Sequence, residues 1–228
     1  MGYFVKIAQR AIAAIMAFGA GVLISALAFE LMDEAYRQGG FGSTATGFVG
    51  GALVYTLANW FLSAQGAKHR KRSGKAHPSE EDHEGSGLAI AIGALLDGIP
   101  ESIVVGVSLI EGGAVSWVTV AAVFLSNIPE GLSSAAGMKQ AGRSKRYIFG
   151  IWGTITLVSG VAALIGYTVF QHFSGEVIAV TIAIAAGAIL AMLTDTMIPE
   201  AFEQTHNFAG LITVLGFLTA FILSKLGG

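Results

Sequence analysis

The 228-residue chain contains no cysteine, so neither disulfides nor thiolate metal ligands are available to it. Charge is scarce. Asp, Glu, Lys and Arg make up 12% of the residues, about half of the roughly 25% usual in a soluble domain. With 54% hydrophobic residues and a mean hydropathy of +0.68, that deficit excludes an ordinary water-soluble domain and predicts an all-α integral membrane protein. The net charge of −2 carries no information on this point. The one compact basic run, residues 68–75, is too short and too close to apolar spans to argue for nucleic acid, and it fits contact with anionic lipid. Proline is rarer still, four residues in all, which makes its placement informative.

Apolar runs and their breaks predict seven transmembrane helices, at about 8–34, 44–65, 86–110, 114–138, 146–171, 175–203 and 207–226. The whole chain, 1–228, reads as a single transmembrane domain with a polar loop at about 66–85. Lys6 and Arg10 precede a run of full membrane length without a clear cleavage site, so no removable leader is expected. With seven crossings, eleven of the thirteen Lys and Arg fall on one side, leaving only Arg37 and Lys225 opposite. The positive-inside rule makes that side cytoplasmic, with the N-terminus inside and the C-terminus outside, in a plasma membrane of bacterial or archaeal type. Thirty-one glycines suit close helix packing in a bilayer.

Two of the prolines mark a duplicated phrase. Leu96-Asp97-Gly98-Ile99-Pro100-Glu101-Ser102 lies in the third span and Leu125-Ser126-Asn127-Ile128-Pro129-Glu130-Gly131 in the fourth. Asp97 and Glu101 are four apart and share a helix face, as do Ser126 and Glu130, while Asn127 lies three before Glu130. Pro100 and Pro129 have no N–H, which deprives the carbonyls of Leu96 and Leu125 of their helical partners. A carboxylate at membrane depth costs roughly 2.5–3.5 kcal/mol on insertion scales. Two helices bearing that cost in one pattern predict a shared site of oxygen ligands suited to a divalent cation. The bland reading is a polar kink that pins two helices together.

A second repeat runs over residues 21–35 and 187–201. Gly21 aligns with Gly187, and Glu34-Ala35 with Glu200-Ala201. It pairs the first span with the sixth, and the Pro-Glu phrase pairs the third with the fourth. Each pair is separated by an odd number of crossings, so its members run oppositely, the pattern of inverted repeats in transporters. The second span then pairs with the seventh, and the fifth lacks a partner, which would have to precede residue 1.

Further carboxylates lie at the span ends. Glu30 and Asp195 lie deepest and are candidate gate ligands. Glu34, Glu200 and Glu203 read as solvated rather than as path ligands, with Glu200 left open by Pro199 just before it, and Glu111 and Glu176 as loop charges. His172 and His206 are expected at interfaces. His69, His77 and His83 share the polar loop with four acids, which reads as a solvated linker or a loose zinc-binding tract.

The two Pro-Glu phrases resemble the metal-binding fourth and fifth helices of the ZIP (Zrt/Irt-like) divalent metal transporters, whose text there is His-Asn-x-Pro-Glu and His/Gln-Asn/Asp-x-Pro-Glu-Gly. Residues 17–21 with the acidic end 30–35 look like the family's second helix, and residues 193–200 like its seventh. The resemblance implies a 3+2+3 helical bundle, here minus its first helix, with a mononuclear or binuclear metal site. It also implies uptake of zinc or a related metal toward the cytoplasm, often by a homodimer. By position, Asp97 takes the place of the first His, Gly98 of the Asn and Glu101 of the Glu. On the next helix Ser126, Asn127 and Glu130 take the matching places. Gly98 removes one ligand. No histidine remains within the spans, and oxygen-only sites accept manganese, iron(II) or cadmium more readily than a nitrogen site would.

The sequence therefore predicts a divalent metal transporter, with zinc as the first expectation. Its expected ligands are Asp97, Glu101, Asn127 and Glu130, with Ser126 as a further ligand and Glu30 and Asp195 as gates. The metal is cargo and no prosthetic group is expected. The alternative is a metal-binding membrane scaffold or sensor that moves no ion. An intramembrane hydrolase ranks lowest, because no His-Glu-x-x-His ligand set or nucleophile–base pair is present.

Overall fold

The computed structural model describes residues 8–64, 86–110, 117–140 and 142–226. Among the described residues it is helical with no strand, as an all-α membrane protein should be. In chain order, α1 (Gln9–Ala26) passes through a π-helical turn (Leu27–Leu31) into α2 (Met32–Leu62). Then come α3 (Ser86–Ser108), α4 (Trp117–Gln140), α5 (Lys145–Phe170) and α6 (Gly175–Met192). A second π turn (Leu193–Met197) leads to α7 (Ile198–Thr205), and a 3-10 turn (His206–Phe208) to α8 (Ala209–Leu226). The expected polar loop at 66–85, Lys6 and Glu111 lie outside the described residues.

Three helical stretches among the described residues are long and apolar enough to cross a membrane: Gln9–Leu62, Lys145–Phe170 and Gly175–Leu226. Two of them are interrupted. Gly40 takes φ 66 and ψ −174, which breaks α2 into two rods, and only glycine adopts that backbone without strain. His206 takes φ 46 and separates α7 from α8. Gln9–Leu62 has 54 residues. As one straight rod it would be about 80 Å long, far beyond the roughly 30 Å of a hydrocarbon core, and the break at Gly40 divides it.

The outer surface is apolar. On α5, Leu157, Val161 and Leu164 are exposed, and on α2 Leu53, Leu57 and Trp60 are exposed. Contiguous apolar surface of this kind suits lipid. The hydroxyls on that surface are satisfied within their own helix. Thr154, Thr156, Thr168 and Thr219 each donate to the carbonyl four residues back, at 2.7–2.9 Å. Where no water is available, such bonds remove the cost of a stranded O–H.

Glycine decides which helices touch. α2 packs chiefly on α6, α1 on α8, and α3 on α5. A Cβ on Gly21 would collide with the Thr213 carbonyl, and one on Gly216 with that of Phe18, so α1 and α8 meet backbone to backbone. Gly51 against Ile184 and Gly187 against Phe48 do the same for α2 and α6, and Gly106 against Ala163 for α3 and α5. The core behind these contacts is small-residue and aliphatic, centred on Ala17, Ala20, Ala183, Ala186, Leu193 and Met197.

Overpacking of a core usually costs about 1–3 kcal/mol, and here the obstacle is backbone that cannot rotate away. Gly21→Val and Gly187→Val should each lower the unfolding temperature in detergent by several degrees and broaden the size-exclusion peak. Gly150→Ala, where an added Cβ meets open space, should leave both measurements unchanged or slightly improved.

Candidate metal centre

The centre is built where α3 and α4 cross the core. α3 carries Asp97 and Glu101 one turn apart, and both side chains are buried, at 4% and 2% relative exposure. α4 supplies Asn127, whose amide Nδ2 donates to Glu101 Oε2 at 3.3 Å and to the Val123 carbonyl at 2.7 Å. α2 supplies Tyr55, whose hydroxyl donates to Asp97 Oδ1 at 2.8 Å. One turn beyond Gly98, Ser102 donates to the Gly98 carbonyl at 2.7 Å. α3 continues helically through Pro100. Three helices thus converge on two buried carboxylates.

The expected ligands are distributed unevenly. Asn127 meets Glu101 across the α3–α4 boundary, and Asp97 lies one turn before Glu101 on α3, where it accepts from Tyr55. The backbone of α4 includes Ser126 and Glu130, but their side chains lie outside the described residues. Among the described residues no three His, Asp or Glu side chains gather closely enough to hold a metal ion. What is described of the centre is therefore two carboxylates and an amide, an oxygen-rich set fitting a hard or borderline divalent cation. Gly98 faces Ser159, whose Oγ would stand 3.6 Å from an added Cβ, so no ligand extends from that position.

Glu30 lies on the first π turn and accepts a hydrogen bond from Thr119 Oγ1 of α4 at 2.7 Å. It lines a cavity of about 240 Å³ together with Glu34, Arg37, Val104 and Thr119. Glu34 is half-buried. It accepts from Gln38 at 2.7 Å and from Arg37, which also stands 3.5 Å from Asp33. Between this vestibule and Glu101 lies an aliphatic layer of Leu27, Leu31 and Val104, enclosing a gap of about 10 Å³. That is room for no more than about one water.

Asp195 and Glu200 differ in burial. Asp195 is exposed on the second π turn, while Glu200, expected in solvent, is buried at 6% exposure on α7. Within that turn Leu193, Thr196 and Met197 are buried. Glu203, His172 and His206 are exposed. Glu176, expected as a loop charge, lies instead in the first turn of α6, exposed and 3.4 Å from Ser43 Oγ. His69, His77 and His83 lie outside the described residues.

Sequence reasoning missed Tyr55 and Thr119. Tyr55 was findable in principle, as a phenol in an apolar span whose hydroxyl needs a partner. Thr119 carried no such signal.

No family model matches the chain, and no curated protein matches it.

Asn127→Leu removes a donor from a buried carboxylate, a change worth about 1–3 kcal/mol. It should lower the unfolding temperature in detergent. In the Glu101→Ala background the same substitution should cost measurably less, because the coupling partner is gone.

Proposed function

We propose that the chain is a transporter of divalent metal ions, moving them toward the cytoplasm through a site between α3 and α4. The observation that carries this reading is the burial of Asp97 and Glu101 on one helix face, with Asn127 reaching Glu101 from the facing helix. A polar pin would need one carboxylate. Two, with an amide and a third helix supplying Tyr55, are costly to bury unless the site does something with them. The ligands proposed are Asp97, Glu101, Asn127 and Glu130, with Ser126 beside them. Glu30, in the vestibule, is the proposed outer gate ligand. Asp195 is kept as an inner gate ligand only at the surface, where a departing ion would meet it.

The proposed architecture is seven crossings arranged as inverted repeats, with the first rod (α1 to Gly40) related to the sixth (α6 and α7), the second to α8, and α3 to α4. Several features support it. The π turns Leu27–Leu31 and Leu193–Met197 occupy matching places in the repeated stretches 21–35 and 187–201. The glycine contacts exchange in the same way: Gly21 against α8 answers Gly187 against α2, and Gly216 against Phe18 answers Gly51 against Ile184. The contact of α1 with α4 answers that of α3 with α6. The resemblance of both Pro-Glu phrases to ZIP transporters points to zinc, and the oxygen ligands to tolerance of manganese, iron(II) and cadmium. A homodimer in a plasma membrane, N-terminus inside, completes the proposal, and no enzymatic step is part of it.

One feature favours a metal sensor or scaffold instead: the aliphatic layer that shuts Glu101 off from the vestibule. Flux decides. In sealed proteoliposomes the wild type should accumulate zinc or manganese, and Glu101→Ala and Glu130→Ala should each lose more than about 90% of that uptake while keeping a monodisperse profile. Undiminished uptake in both variants would remove the site from the mechanism. Binding without flux would select the sensor. Orientation is testable because the chain has no cysteine. Lys75→Cys should react with an impermeant maleimide only from the cytoplasmic side, and Lys225→Cys only from outside.

A further inference from the structure

We propose that Tyr55 is a positioning residue for the cation site, its hydroxyl holding the Asp97 carboxylate in the orientation that ligates the ion. The inference rests on reading Asp97 and Glu101 as cation ligands. Tyr55 is 1% exposed, among the largest fully buried side chains described, and stands on α2. Its hydroxyl reaches Asp97 Oδ1 at 2.8 Å, joining two helices that otherwise touch little. α2 spends its contacts on α6, and α3 spends its own on α5. A phenol placed there by packing alone would not need its oxygen at hydrogen-bonding distance from a buried carboxylate of the neighbouring helix.

The chemistry gives the contact a purpose. A histidine ligand is oriented by what its second ring nitrogen donates to, and a carboxylate ligand by what donates to it. Asp97 can rotate about two side-chain bonds, so without a donor its oxygens have several directions to choose from. Glu101, one turn on, is oriented in the same way by Asn127. The two carboxylates are therefore each steered by a neighbouring helix, Asp97 from α2 and Glu101 from α4. Outer donors of this kind are typically worth tenfold or more in metal affinity.

The test uses the full chain in detergent and in proteoliposomes, with Mn²⁺ as probe. Bound ion is counted by loss of the aquo-ion EPR signal. Tyr55→Phe keeps the ring and removes only the oxygen. It should weaken Mn²⁺ binding about tenfold and raise the KM for Mn²⁺ uptake by a similar factor, with the maximal rate within about twofold of wild type. In the Asp97→Ala background the same substitution should change neither quantity. Unaltered Mn²⁺ binding by Tyr55→Phe overturns the proposal. So does a fall in maximal rate at constant KM, or an equal loss in the Asp97→Ala background, since each assigns Tyr55 to packing. Failure of the site reading looks different: wild type and Glu101→Ala would then bind Mn²⁺ alike, or not at all, and the role of Tyr55 would fall with it.

Discussion

A membrane interior makes an unsatisfied polar atom costly, and the way α3 is held in place answers to that constraint. Backbone groups comply by being helical. Threonine hydroxyls comply by bonding back to their own helix, as Thr154 and Thr219 do. Asp97 and Glu101 cannot comply so cheaply. A carboxylate needs donors from outside its own turn, and the chain provides them from separate helices: Tyr55 from α2 and Asn127 from α4. The position of α3 is thus specified by polar bonds as well as by packing.

Packing itself rests on removal of side chains more than on their shape. Helices in lipid gain nothing from hiding apolar surface from lipid, so they associate where backbones approach closely. At Gly21, Gly51, Gly187 and Gly216 the facing carbonyl occupies the space a methyl group would need. Two rigid helix pairs result, α1 with α8 and α2 with α6. A third pair, α3 with α5, is tied by Gly106 against Ala163 and carries both carboxylates. Between that pair and α2 the Tyr55–Asp97 bond is a principal polar link, so the geometry of the site and the seating of α3 are one problem.

Much of this was legible in the sequence. Hydropathy predicted a helical membrane chain, because long apolar runs with few charges have few alternatives. Spacing placed Asp97 and Glu101 on one face, and their burial follows from the face they share. The breaks were harder. The first rod was expected to end near residue 34, yet it continues to Gly40, since Glu34, Arg37 and Gln38 satisfy one another along the helix. The π turns were not legible at all. An extra residue in a turn has no compositional mark. Tyr55 was missed because periodicity reports which face a residue occupies, never which side chain of another helix awaits it.

The aliphatic layer of Leu27, Leu31 and Val104 bears on how a cation could reach Glu101. A divalent ion keeps much of its water until protein oxygens replace it. The gap beside Glu101 holds about one water at most, and among the described residues that line it only Thr119 and Glu101 carry side-chain oxygen. A hydrated ion would have to shed its shell into aliphatic carbon, a desolvation that no ligand there offsets. Among the described residues the arrangement is closed on the vestibule side, and a cation passing from Glu30 to Glu101 would need Leu27, Leu31 and Val104 to part. Leu27 and Leu31 belong to the π turn that also carries Glu30 and Val104 to α3, so a shift of that turn would move the vestibule carboxylate together with only part of the barrier.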